Sequence, residues 1–115
     1  MIRFIPYNNL NMILKKNNQI IGKIKGNLIN NNYFYMYGLI ISEKERGYGY
    51  GLELIHNYEN YILSKSNING FKLNCPNFNK KYKLVNYYEK LNYNIDHTNN
   101  MYFHDDLTVP MIKYF

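Results

Sequence analysis

Three glycines, Gly47, Gly49 and Gly51, alternate with Arg46, Tyr48 and Tyr50 immediately before an apolar-periodic segment. Glycine lets the backbone approach a ligand without side-chain obstruction. The free N–H groups of a helix start attract anions, and the helix dipole reinforces them, so this turn suits a phosphate or pyrophosphate. Spacing decides which kind. A P-loop needs Gly, four residues and then Gly-Lys-Ser/Thr, and no lysine directly follows these glycines. A dinucleotide fingerprint runs G-x-G-x-x-G, whereas the third glycine here comes one residue early. Other reactive side chains are sparse. Cys75 is the single cysteine, which excludes an internal disulfide and thiolate zinc patterns, and it reads as a buried strand-end residue. His97, His104, Asp105 and Asp106 read as solvated hairpin residues rather than bases, and no second cluster at ligand spacing joins them, so no metal is expected.

The elements that must carry the turn follow from periodicity. Leu54, Ile55, Tyr58, Tyr61 and Ile62 recur at helical spacing, with His56, Asn57, Glu59 and Asn60 mostly on the other side, which predicts a helix from Tyr50 to Ser64. Upstream, Met1 to Ile5 reads as an edge strand ended by Pro6. Leu10 to Lys16 and Gln19 to Lys25 flank Asn17-Asn18 as an antiparallel hairpin, with Gly22 marking a bulge. The Asn30-Asn31-Asn32 cluster turns the chain into Tyr33 to Ile41, a nearly unbroken apolar run predicted to be central and covered on both faces. Downstream, Asn69-Gly70 opens a strand from Phe71 to Cys75, ended by Pro76. Strand, helix, strand implies a right-handed crossover between parallel strands, and it puts the glycine turn at the carboxyl end of the central strand, where open α/β sheets bind ligands. Lys80 to Leu91 forms a second helix with Leu84, Val85, Tyr88 and Leu91 on one face, and Tyr93 to His97, Met101 to His104 and Val109 to Phe115 complete the sheet as short antiparallel strands.

Arg46-x-x-Gly49-x-Gly51, preceded by Leu39-x-Ile41 and followed by Leu54, resembles the coenzyme A signature of the GNAT N-acetyltransferase superfamily, with Glu43 where many members have Pro. Tyr88-Glu89-Lys90-Leu91-Asn92-Tyr93 resembles the Y-E-K-L-G-F block of the same family, Asn92 replacing Gly as the other residue that tolerates a left-handed helix cap. Met111-x-Lys113 resembles a frequent M-x-K ending. The resemblance spans residues 10–115 and implies a mixed α/β GNAT fold: a mostly antiparallel sheet of six or seven strands with two helices. It also implies acetyl-CoA as co-substrate, its pyrophosphate on the backbone N–H groups of Arg46, Gly47, Tyr48, Gly49, Tyr50 and Gly51 and its pantetheine on Leu39, Ile40 and Ile41. An amine would attack the thioester directly in a ternary complex, and Tyr88 would protonate the departing thiolate. Three departures stand beside it. Tyr33 to Ile41 has no carboxylate where many members carry a Glu, and Lys81 replaces a frequent Asn. The two helices that usually follow the first strand have no room in Tyr7 to Asn9. Self-association over the exposed sheet face is one way to compensate for them.

Length and composition set the remaining bounds. A chain of 115 residues makes a single N-acetyltransferase domain, 1–115, with one two-layer core. No apolar run reaches the roughly 18 residues of a membrane span, and the start lacks a signal-peptide segment, so a soluble cytoplasmic protein is expected. The +6 charge and 14 tyrosines suit single-stranded nucleic acid. However, Ala is absent while Asn, Lys, Ile and Tyr abound, as an AT-rich genome would dictate throughout, so nucleic acid is not the expected partner. The acceptor is expected to be a small-molecule or protein amine. Two alternatives remain: a catalytically inactive acyl-CoA-binding remnant, marked by the absent acidic base, and a basic nucleic-acid-binding module, marked by Lys and Arg clustering on one face.

Overall fold

The structure is a computed structural model in which residues 1–76, 82–97 and 108–114 are described. Its sheet is built from β1 (Ile2–Tyr7), β2 (Asn11–Lys16), β3 (Gln19–Ile29), β4 (Tyr33–Ile41), β5 (Gly70–Pro76), β6 (Asn94–Ile95) and β7 (Thr108–Tyr114), in the spatial order β1-β2-β3-β4-β5-β7-β6. Every neighbouring pair is antiparallel except β4 and β5. Two helices, α1 (Tyr50–Lys65) and α2 (Lys83–Glu89), follow β4 and β5. This is the mixed sheet and helix order expected from the two sequence blocks.

Asparagine does much of the turning, because its short polar side chain tolerates the left-handed conformation. Asn17 and Asn18 (φ 52° and 66°) close the predicted hairpin between β2 and β3. Asn8 and Asn9 (φ 54° and 65°) return the chain from β1 directly into β2, so residues 8–10 hold neither of the family's usual helices. β1 runs on through Pro6, which its place at the sheet edge allows, since a missing N–H there interrupts no ladder. β3 extends four residues beyond the predicted Lys25, and its register slips opposite Leu14 and Lys15, next to Gly22 as expected.

One face of the sheet is covered. Met12, Leu14, Ile21, Ile24, Phe34, Met36, Phe71, Leu73, Cys75 and Met111 bury against Leu54, Ile55, Tyr58 and Ile62 of α1 and Val85 of α2. At its centre Phe34 meets Tyr58 and Phe71 edge-on, with ring centroids 5.8 and 6.0 Å apart. β4 is therefore not covered on both faces as its apolar run predicted. Phe34 and Met36 are buried, but Tyr37 and Ile40 are exposed, because no helix packs on the far side among the described residues. The unbroken run signalled β-propensity and ring packing rather than double burial.

α1 carries a second correction. Glu59, assigned from sequence to the polar side, is 5 % exposed. It lies one turn on from Ile55, and its carboxylate holds Lys113 of β7 at 3.0 Å and accepts the Tyr93 hydroxyl at 2.5 Å. α2 is shorter than predicted: it starts at Lys83 with Tyr82 left-handed at its cap (φ 56°), while Lys80 and Lys81 lie outside the described residues. It ends at Glu89, two residues before the predicted Leu91, while Asn92 is left-handed as expected (φ 71°) and the Tyr93 N–H donates to the Tyr88 carbonyl at 3.1 Å. Of the late strands, the predicted Tyr93 to His97 is reduced to Asn94–Ile95, Thr108–Tyr114 matches the last, and Met101 to His104 lies outside the described residues.

Candidate active site

The ladder between β4 and β5 is short. Tyr33, Phe34 and Tyr35 pair with Gly70, Phe71 and Lys72, and beyond Tyr35 the strands separate. The reason lies three residues on. The β3–β4 register slips between Lys23 and Lys25, setting Gly38 and Leu39 of β4 against the single residue Ile24, and Gly38 takes φ +72°. Such a bulge bends its strand, and glycine takes that φ without steric cost. Leu39, Ile40 and Ile41 thus share one sheet with Phe71 to Cys75, on strands that run parallel, but they do not pair with them.

The separation opens a cleft of about 360 Å³. Met36 to Leu39 line it on one side, Leu73, Asn74 and Pro76 on the other, and Leu84 and Tyr88 of α2 with Ile55 of α1 close the helical side. Met36 and Leu73 belong to the covered face, while Tyr37 is exposed on the open face, so the gap is lined from both faces of the sheet. No carboxylate is among the described residues that line it.

The glycine turn stands at the end of β4 and opens into α1. A one-turn 3₁₀ helix, Glu43–Glu45, leads into it. Arg46 braces the corner: its Nε donates to the Ile41 carbonyl at 2.9 Å, and its own N–H donates to Glu43 at 3.3 Å. Lys16 of β2 ties in from the other side through Glu45 at 3.0 Å. Gly47 (φ 88°) and Gly49 (φ 82°) are both left-handed, Gly49 as the N-cap of α1. A Cβ on either would meet no atom within 4 Å, so the space over these two residues is open. Gly51 differs, because a Cβ there would come within 3.3 Å of the Tyr87 hydroxyl. The Tyr87 hydroxyl of α2 therefore lies close over Gly51.

Tyr88 is half-buried in the cleft wall, edge-on to Tyr87 at 5.5 Å and to Tyr93 at 5.9 Å. Burial, with smaller contributions from Cys75 and Tyr87, pushes its phenol well above the usual tyrosine value and keeps it protonated. Cys75 is fully buried on β5, and the same loss of water raises its thiol to about 11. It is the inert core residue that the sequence indicated. His97 is exposed, and His104, Asp105 and Asp106 lie outside the described residues. No cluster of three metal-ligating side chains occurs among the described residues.

Of the residues expected at the site, Leu39 and Tyr88 line the cleft, whereas Ile40, Ile41 and the turn from Arg46 to Gly51 are not among its lining residues, and the turn approaches α2 where Gly51 faces the Tyr87 hydroxyl. Sequence reasoning missed Gly38, Tyr37 and Asn74, which shape the gap. A lone glycine inside an apolar run was the available signal for the first.

Comparison with known proteins agrees with this geometry. The sequence profile of the Acetyltransferase (GNAT) family matches residues 3–93. Among solved structures, a protein assigned as a streptothricin acetyltransferase from Bacillus anthracis, in complex with acetyl coenzyme A, is 25 % identical with a TM-score of 0.72, over 91 % of this chain and 61 % of its own. Ard1 from Thermoplasma volcanium superposes with a TM-score of 0.72 at 17 % identity, over 90 % of this chain and 69 % of its own. Naa50 from Arabidopsis thaliana, in complex with the bisubstrate analogue CoA-Ac-MVNAL, gives 0.67 at 18 %, over 91 % and 72 %. No curated protein matches the sequence significantly. The chain spans about three fifths of the length of the Bacillus protein. The fold is that of the GNAT acyltransferases. The chain belongs to the GNAT acetyltransferase family.

Proposed function

We propose that residues 1–115 form one acetyltransferase domain that transfers the acetyl group of acetyl-CoA to a primary amine. The observation that carries this reading is the conjunction of an open, left-handed glycine turn at the start of α1 with a gap between β4 and β5 that has Tyr88 in its wall. Backbone N–H groups from Gly47 to Gly51 hold the pyrophosphate. Arg46 contributes least, since its N–H already serves Glu43. The pantetheine lies along Leu39, Ile40 and Ile41, on the side of β4 that β5 leaves unpaired.

In the reaction the amine nitrogen attacks the thioester carbonyl carbon. The new C–N bond forms, the C–S bond breaks, the amine proton leaves to solvent, and Tyr88 gives its hydroxyl proton to the sulfur. Burial raises the Tyr88 phenol as well as a thiol in the same wall, so the proton passes only as the C–S bond breaks and negative charge gathers on the sulfur. Direct attack fits better than an acyl-enzyme, because Cys75 is buried with a raised thiol and no base is recorded beside it among the described residues. An inactive acyl-CoA-binding remnant is the second reading, favoured by the lack of a carboxylate among the described residues that line the cleft.

Free coenzyme A release, followed with a thiol reagent over a panel of primary amines, separates the two. The enzyme reading expects amine-dependent release above the hydrolytic background. Tight coenzyme A binding with no release for any amine would leave the remnant.

A further inference from the structure

The strand register places the cations unevenly. Arg3 is opposite Lys15, Ile13 opposite Lys23, Asn11 opposite Lys25, Lys25 opposite Tyr37 and Tyr35 opposite Lys72. Directly paired residues, and residues two apart on a strand, share a face. Arg3, Lys15, Lys23, Lys25 and Lys72 therefore all project from the open face, away from the helices. Glu43, Glu45, Glu53, Glu59 and Glu89 lie in or beside the helices instead. Asp96 is the one carboxylate seen at the open face among the described residues, and it is buried and ion-paired with Lys72 at 3.9 Å.

Lys25 brings part of this charge to the open-face mouth of the cleft. The aliphatic stem of Lys25 runs beside Gly38, within 4.0 Å of where a Cβ would stand, and Gly38 lines the cleft. Tyr37, 42 % exposed, flanks the same mouth with its hydroxyl accepting from Asn27 at 3.2 Å, and opposite it Asn74 donates to the Tyr35 hydroxyl at 3.2 Å. Lys23 and Lys25 are exposed and have no carboxylate partner among the described residues.

The geometry points to an acceptor whose amine is borne on an anionic scaffold, one carrying carboxylates or phosphates close to the reacting nitrogen. This inference rests on the acetyltransferase reading. The glycine turn and Tyr88 occupy the helical end of the gap, so the acceptor enters from the open face and meets Lys23 and Lys25 before it reaches the thioester. A polycationic amine is repelled there, and an acidic one is drawn in and oriented. The same charge disfavours self-association over the open face, since two copies would set four uncompensated cations, Arg3, Lys15, Lys23 and Lys25, against four.

The test uses the purified chain, acetyl-CoA and matched acceptors: short peptides with a free α-amine followed by two Glu, two Gln or two Lys, and glucosamine with and without its phosphate ester. The expected order in kcat/KM is acidic above neutral above basic, with about a tenfold span at low salt that narrows as ionic strength rises. Lys23→Glu with Lys25→Glu reverses that order while coenzyme A affinity stays unchanged, which also shows that the variant is folded. Preference within the acidic peptide or the sugar phosphate tells which scaffold is used. A preference for the basic peptide, or an order unaltered by the double substitution, overturns the inference and leaves the acetyltransferase reading standing. Coenzyme A binding with no acetylation of any acceptor overturns both.

Discussion

Tyr88→Phe lowers turnover by about 10²- to 10⁴-fold, the usual loss on removing a positioned general acid, while coenzyme A affinity and melting temperature stay near wild type. The substitution keeps the ring, and the ring makes the contacts: its edge-on packing with Tyr87 and Tyr93 survives, and no protein partner is recorded for the lost hydroxyl among the described residues. The pH profile supplies a second readout. Burial raises the Tyr88 phenol above its ordinary 10.0, so the acid form persists through neutral pH, and no loss of turnover from its ionisation is expected below about pH 10. If the phenylalanine variant turns over normally, Tyr88 is a packing residue, and the proposed proton transfer has no donor.

Glu59→Ala has its large effect on stability instead. It leaves the Lys113 ammonium and the Tyr93 hydroxyl without their shared partner beneath α1. Breaking a buried ion pair from one side costs about 3–5 kcal/mol, and the low end applies because the Lys113 side chain keeps 21 % exposure. For a domain of this size that is a drop of roughly 10 °C or more in Tm. Pairing it with Lys113→Met removes the stranded charge and recovers much of the loss. A single variant that melts like wild type would show that the pair contributes nothing. A double variant no more stable than the single would put the cost elsewhere.

These two residues also show what the sequence can and cannot convey. Tyr88 was legible because its neighbours form a contiguous block with its own cap signal, and Asn92 adopts the left-handed conformation that block requires. The glycine turn was legible for the same reason: local backbone geometry is written in local residue types. Glu59 was not. Its position one turn after Ile55 lies on the apolar stripe, but a carboxylate is usually solvated, and the Lys113 that holds it inside is 54 residues away. The gap between β4 and β5 was hidden for a related reason. It depends on a register slip against β3 at Gly38, and register is a property of two strands together. The open face followed from the two missing helices, yet the apolar run of β4 hid it, because rings such as Tyr35 and Tyr37 stack on each other, 5.9 Å apart, rather than beneath a second layer.

The central claim is that the turn from Arg46 to Gly51 holds the pyrophosphate of acetyl-CoA, and titration calorimetry with coenzyme A tests it most directly. Wild type should bind at a single site. Gly49→Glu should abolish that binding in a chain whose circular dichroism is unchanged, because it puts a carboxylate into the open space over the turn and forces a side chain onto φ 82°. Failure of the wild type to bind, or an affinity untouched by Gly49→Glu, would contradict the assignment.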